Sequence, residues 1–170
     1  MTGDRTSRFL CGMLLAVTIL PHHSRAPEAR RIKSPDGNRV AIIVFVGKDK
    51  GFEDLEFRLE IRDRAGKTLF TKSFSSEDGE HGYNVVAAKW TDDSQFFVFS
   101  MASSGGYELW HYPSFFYSPK TNQLVSLDES VDLVTDPNFK LTPEDTIRIE
   151  INYQAVTVDL EELAQRAKPH

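Results

Sequence analysis

The 170-residue sequence contains one cysteine, Cys11, and it sits in an apolar run near the start of the chain. The rest of the chain therefore has no disulfide, no thiol nucleophile and no thiolate ligand for zinc. Histidine is nearly as scarce. His22 and His23 fall in the leader stretch and His170 ends the sequence, which leaves His81 and His111. Two histidines define no metal-ligand spacing. No H-E-x-x-H, phosphate-loop or EF-hand pattern occurs, and the serines of "SMASSGGY" (100–107) lack the preceding glycine of a nucleophile elbow. No cofactor is expected on these grounds. Excess positive charge is missing too: the net charge is −5 at pH 7, with no long block of lysine and arginine. Nucleic acid is therefore not an expected partner, and no basic stretch marks a membrane surface.

The longest apolar run, Phe9–Leu20, is too short to cross a bilayer, which takes about 20 residues. Arg5 and Arg8 precede it and Ser24-Arg25-Ala26 follows, the layout of an export signal cut after Ala26. The expectation is a periplasmic or secreted protein with no stable membrane insertion after cleavage; an uncleaved anchor is the alternative. Residues 27–170 then suit a single β domain.

What the body does contain is a repeated phrase. Ser34-Pro35-Asp36-Gly37, Thr91-Asp92-Asp93-Ser94 and Thr142-Pro143-Glu144-Asp145 each stand immediately before a β-run. A hydroxyl residue opens each turn, Pro or Asp suits the next position, and acidic or glycine residues follow. After the first copy, Leu55, Phe57, Leu59 and Ile61 alternate with Glu56, Arg58, Glu60 and Arg62, a strand with one wet face. Gly66 then closes a hairpin onto Thr68–Phe74, and Asn122 does the same after the second copy. Repeat-like units span about 32–74 and 88–127, with a partial third at 139–158.

This unit resembles the blade repeat of TolB-like, PD40-type β-propellers. Propellers close with several more blades than two and a fragment, so a ring within one chain is excluded by length. The expected fold is all-β: two blade-like antiparallel sheets packed as a sandwich, with the partial third unit supplying strands to the sheet edges. A short helix follows at about 160–168, capped by Asp159 with Glu162 three residues on.

More than half of the aromatic residues lie between Tyr83 and Tyr117. Core packing accounts for rings in strands. The segment "GGYELWHYPSFFY" (105–117) also offers Tyr107, Trp110, His111, Tyr112 and Tyr117 as rings with polar tips suited to a binding surface, and Pro113 fits an edge strand open to a partner. The acidic turn Glu77, Asp78, Glu80 reads as solvated rather than as a calcium loop. Three functional readings follow. The first is an exported, non-enzymatic module that binds another envelope protein or a peptide. The second is a small hydrolase using His111 with Glu108 or Asp92. The third is an assembly protein that oligomerises.

Overall fold

The computed structural model describes residues 29–46, 55–106, 108–143 and 145–167. The leader stretch, with the signal and cleavage site expected there, lies outside the described residues. Three antiparallel sheets follow one another along the chain. The first is β1 (Ala29–Lys33), β2 (Arg39–Val46), β3 (Glu56–Asp63) and β4 (Thr68–Ser73), paired in that order. The second is β5 (Tyr83–Trp90), β6 (Phe97–Ser103), β7 (Ser114–Ser118) and β8 (Gln123–Ser126). A one-turn helix, α1 (Leu127–Ser130), leads to the third sheet of β9 (Lys140–Thr142), β10 (Thr146–Ile151) and β11 (Gln154–Asp159). The chain then enters α2 (Leu160–Arg166).

The fold is all-β with blade-like sheets packed face to face. The last unit differs from expectation. Its strands pair with one another and form a third layer instead of extending the first two sheets. Ile147, Ile149, Ile151 and Val158 give it an apolar face of its own, and that face needs a cover.

The second sheet provides the cover because it is apolar on both sides. Phe97, Phe99, Met101 and Tyr117 pack against Ala41, Ile43, Phe57, Leu59 and Ile61 of the first sheet. Phe96, Val98, Phe116 and Val125 pack against the third sheet and α2. Rings fill the first interface: Phe57 stacks on Phe74 at 4.9 Å, and Phe99 stacks on Phe115 at 5.7 Å. Each buried ring contributes about 1.5–3 kcal/mol of transfer free energy. Asp159 accepts the Glu162 amide at the start of α2, while the Glu162 carboxylate turns to Arg166.

The first two turns repeat in hydrogen bonding as well as in sequence, whereas the Thr142 hydroxyl bonds to Thr146 instead. Ser34 Oγ accepts the Arg39 amide and donates to Asp36 Oδ1, which also takes the Asn38 amide. Thr91 Oγ1 accepts the Phe96 amide and donates to Asp93 Oδ1, which also takes the Gln95 amide. Gly37, Ser94 and Asp145 occupy the same left-handed position, at φ 69°, 68° and 55°. The turns also touch. The Asp36 amide donates to Ser94 Oγ at 3.0 Å, and Trp90 Nε1 donates to the Ile32 carbonyl at 3.0 Å. The Asp93 and Asp145 carboxyls lie close enough to influence one another's charge.

Ser94 thus accepts a strained backbone in order to receive the Asp36 amide. Ser94→Ala keeps the strain and loses the acceptor, and should cost about 1–2 kcal/mol in urea unfolding. Ser94→Gly relieves the strain and should cost less than the alanine variant.

The paired carboxyls make a second expectation. Burial, then the nearby Asp93 carboxyl, raise Asp145 from 3.8 to about 6, with Glu161 and Asp159 adding to the effect. Burial acts to raise Asp93 too, but bonds from Thr91 and Gln95 outweigh it and hold that group low. Between about pH 4 and 6 the folded state therefore holds a proton on Asp145 that the unfolded chain has lost. Stability should fall as pH rises through that window. Thermal melts at pH 5 and pH 7 should show this fall, and Asp145→Asn should reduce it.

Candidate functional site

The link from β6 to β7 leaves the sheet at Ser103 and returns at Ser114. Its first end is clamped by Ser104, whose amide donates to the Gly82 carbonyl at 3.0 Å and whose hydroxyl donates to Glu56 Oε1 at 2.9 Å. Glu56 is a buried carboxylate, although the alternation of β3 places it on the wet face. It also accepts the Gly82 amide at 2.6 Å and both the amide and hydroxyl of Ser76. Burial alone would raise its pKa; the hydrogen bonds from Gly82, Ser76 and Ser104 outweigh that and hold it below the usual glutamate value. The 75–82 loop folds down over this carboxylate. A side chain at Gly82 would collide with Glu56 and with the Phe74 carbonyl, each 2.6 Å from the added carbon.

The second end is clamped by Asp128, in the first turn of α1. Its Oδ1 accepts the Val134 amide at 3.1 Å and faces His111 Nε2 at 2.8 Å, and its Oδ2 accepts the Ser114 amide at 2.9 Å. An ionised carboxylate only accepts, so Nε2 is the donor to Asp128 in this pair. Nδ1 looks toward Glu108 Oε2 at 3.5 Å. The Tyr112 amide donates to the Val134 carbonyl, and the Pro113 carbonyl accepts the Met101 amide.

Between the clamps the chain turns back on itself. Glu108 takes a left-handed conformation at φ 52°, and its carbonyl accepts the His111 amide at 2.9 Å. That turn thrusts its two central residues outward. Leu109 is 75 % exposed and Trp110 47 % exposed, with the indole 5.7 Å from the His111 ring. Two large apolar side chains therefore stand in water on a loop fixed at both feet.

Of the five residues expected to form a binding surface, Trp110, His111 and Tyr112 lie together here. Tyr107 lies outside the described residues. Tyr117 does not belong with them: it is buried between the first two sheets, and its hydroxyl donates to Asn122 Oδ1 at 2.8 Å. Its place in β7, opposite Phe97 and Leu124, points it inward. The expected open edge is also corrected. β7 is paired on both sides, by β6 and β8, and Pro113 precedes it in the loop.

His111 does meet an acid, but Asp128 takes the nearer place and Glu108 the farther. Asp92 belongs elsewhere, in the cleft between the second and third turns with Thr142 and Pro143. A small cleft of about 170 Å³ lies beside His111, lined also by His81, Tyr83, Ser103, Glu108 and Pro113. Among the described residues no hydroxyl is hydrogen-bonded to the His111 ring. His81 pairs with Asp78 at 2.5 Å, within a turn where Asp78 also accepts the Glu80 amide and the Ser76 hydroxyl. No group of three metal-binding side chains occurs among the described residues. Asp128 and Leu109 were missed by sequence reasoning. The Ser126-Leu-Asp-Glu129 pattern of a helix start was the available signal for the first, and Ser126 does accept the Glu129 amide at 3.2 Å.

Asp128→Ala removes the acceptor of three hydrogen bonds. It should destabilise the fold by about 2–3 kcal/mol, and amide exchange at Ser114 and Val134 should accelerate more than exchange in β2 or β3.

The sequence matches no family model and no curated protein. Among solved structures it is similar to the crystal structure of a protein from Lactobacillus plantarum, at 13% sequence identity and a TM-score of 0.44. The match covers 79% of this chain and 38% of that one.

Proposed function

We propose that the chain is an exported binding module that takes a protein partner of the cell envelope through the Leu109–Trp110 loop. The observation that carries the reading is the exposure of these two side chains on a loop braced at both ends. Large apolar groups held rigidly in water gain free energy on burial and lose little entropy in the process. Tryptophan is also the residue most often found at the centre of protein interfaces. His111 fits this reading as a brace, because its ring is spent holding the loop to Asp128.

Export rests on Arg5, Arg8, the Phe9–Leu20 run and Ser24-Arg25-Ala26. The TolB-like, PD40-type reading of the repeat rests on the matched hydrogen bonds of the Ser34 and Thr91 turns. In that reading the stacked sheets serve as a scaffold that holds the loop out, and they carry no activity over from any propeller.

The purified chain, carrying a photo-crosslinking side chain at Leu109, should capture a discrete partner from an envelope extract. Trp110→Ala combined with Tyr112→Ala should weaken that capture by about 30-fold or more, the scale of one interface hot spot, and leave the melting temperature unchanged. Undiminished capture by the double variant would place the interface elsewhere.

A further inference from the structure

The chain is acidic as a whole, but its charge is not evenly spread. The described residues of the first sheet and its turns, 29–46 and 55–74, hold nine lysines and arginines against four aspartates and glutamates. The other described residues hold five against fifteen. A cation-rich layer is therefore built onto an anionic body.

The register of the first sheet gathers part of this charge on one side. Arg31 pairs with Ile42, Lys33 with Val40, and Val40 with Arg62, so these side chains share the face turned away from the second sheet. At the end of that face the Ser34–Gly37 turn and the Asp63–Gly66 turn rise as two lips. Between them lies a cleft of about 500 Å³ lined by Arg31, Lys33, Arg39, Arg62 and Arg64 with Asp36 and Asp63.

Both acids in the lining are engaged in their own turns. Asp36 accepts from Ser34, from the Asn38 amide and from Asn38 Nδ2, and the Ser34 hydroxyl first among these lowers its pKa to about 2. Asp63 accepts the Lys67 amide. Arg62 is paired with Glu60 at 2.6 Å. No carboxylate among the described residues lies within ion-pair distance of Arg31, Lys33, Arg39 or Arg64. Arg39 feels the charge of Asp36 across the lip, while Arg31, Lys33 and Arg64 bring three cations to the cleft without an ion pair among the described residues.

We propose that this cleft binds a compact anion bearing two or more phosphate charges. Guanidinium groups match phosphate oxygens two at a time, and a phosphate concentrates more charge and more acceptors in a small volume than a carboxylate does. The anionic body selects against a long polyanion, which would extend from the cleft over like charge. The same phosphate chemistry is presented by a soluble diphosphate and by a phosphomonoester lipid headgroup.

Two measurements on the full chain separate these sources. Calorimetric titration with inorganic pyrophosphate reads the soluble ligand. Cosedimentation with phosphatidylcholine vesicles, with and without phosphatidic acid, reads the headgroup. In whichever arm binds, Arg31→Ser with Arg39→Ser should weaken binding at least about tenfold, and Lys89→Ser with Lys140→Ser, the same loss of charge elsewhere, should weaken it far less. Arg64→Ser, in an exposed turn, should show the same direction if the double variant melts early. Absence of binding in both arms overturns the proposal, and so does equal weakening by the cleft pair and the control pair.

Discussion

The structure depends on the burial of β6 from both sides. Phe97, Phe99 and Met101 meet the first sheet, while Val98, with Phe96 at the strand entrance, meets the third. A strand in this position has no wet face, so its sequence runs apolar without alternation through 96–99. Its neighbours follow suit: Tyr117 and Phe116 of β7 take opposite sides. This is the physical reason why aromatic residues crowd the middle of the sequence. They fill two interfaces, and a single sheet supplies the filling for both.

Much of the architecture was legible because local rules and the tertiary arrangement agree. Leu55, Phe57, Leu59 and Ile61 alternate and do face the core. Gly66 and Asn122 take the left-handed conformations their hairpins need, at φ 88° and 55°. Asp159 caps the helix it precedes. Reading failed where a distant segment changes what a residue faces. Glu56 looks solvent-exposed by parity, yet the 75–82 loop closes over it and supplies its donors. Tyr117 has the polar tip of a surface residue, but Asn122 satisfies that tip inside the hairpin. Asp128 lies well away from His111 in sequence, and only the return of the chain through α1 brings the two together.

The outward faces of the stack bear on assembly. In the first sheet, Glu60 is held between Arg58 at 2.9 Å and Arg62 at 2.6 Å, directly on the face where a further blade would pack. The third sheet turns Arg148, Glu150 and Thr157 outward, opposite its buried isoleucines. Charged end layers are what a finite stack of repeats uses to remain in water. Burying the Arg58–Glu60–Arg62 group against another copy would require desolvating three charges, which their mutual attraction only partly offsets. The polar ends therefore weigh against closing a ring through these two faces.

In the Leu109–Trp110 loop two adjacent large apolar side chains stay exposed. Among the described residues Val86, Tyr153 and Val156 are exposed as well, whereas the small α2 helix hides Leu160, Leu163 and Ala164, which complete the second interface. The loop is held by polar contacts through Glu56 at one foot and Asp128 at the other. Those contacts would be equally well made with small residues at the tip. Collapse of the tip onto the sheet is opposed by the left-handed Glu108 and by the amide it anchors at His111. Exposure of the two side chains is thus a consequence of the backbone geometry, and the energy that maintains it comes from the buried Glu56 and the part-buried Asp128 beneath.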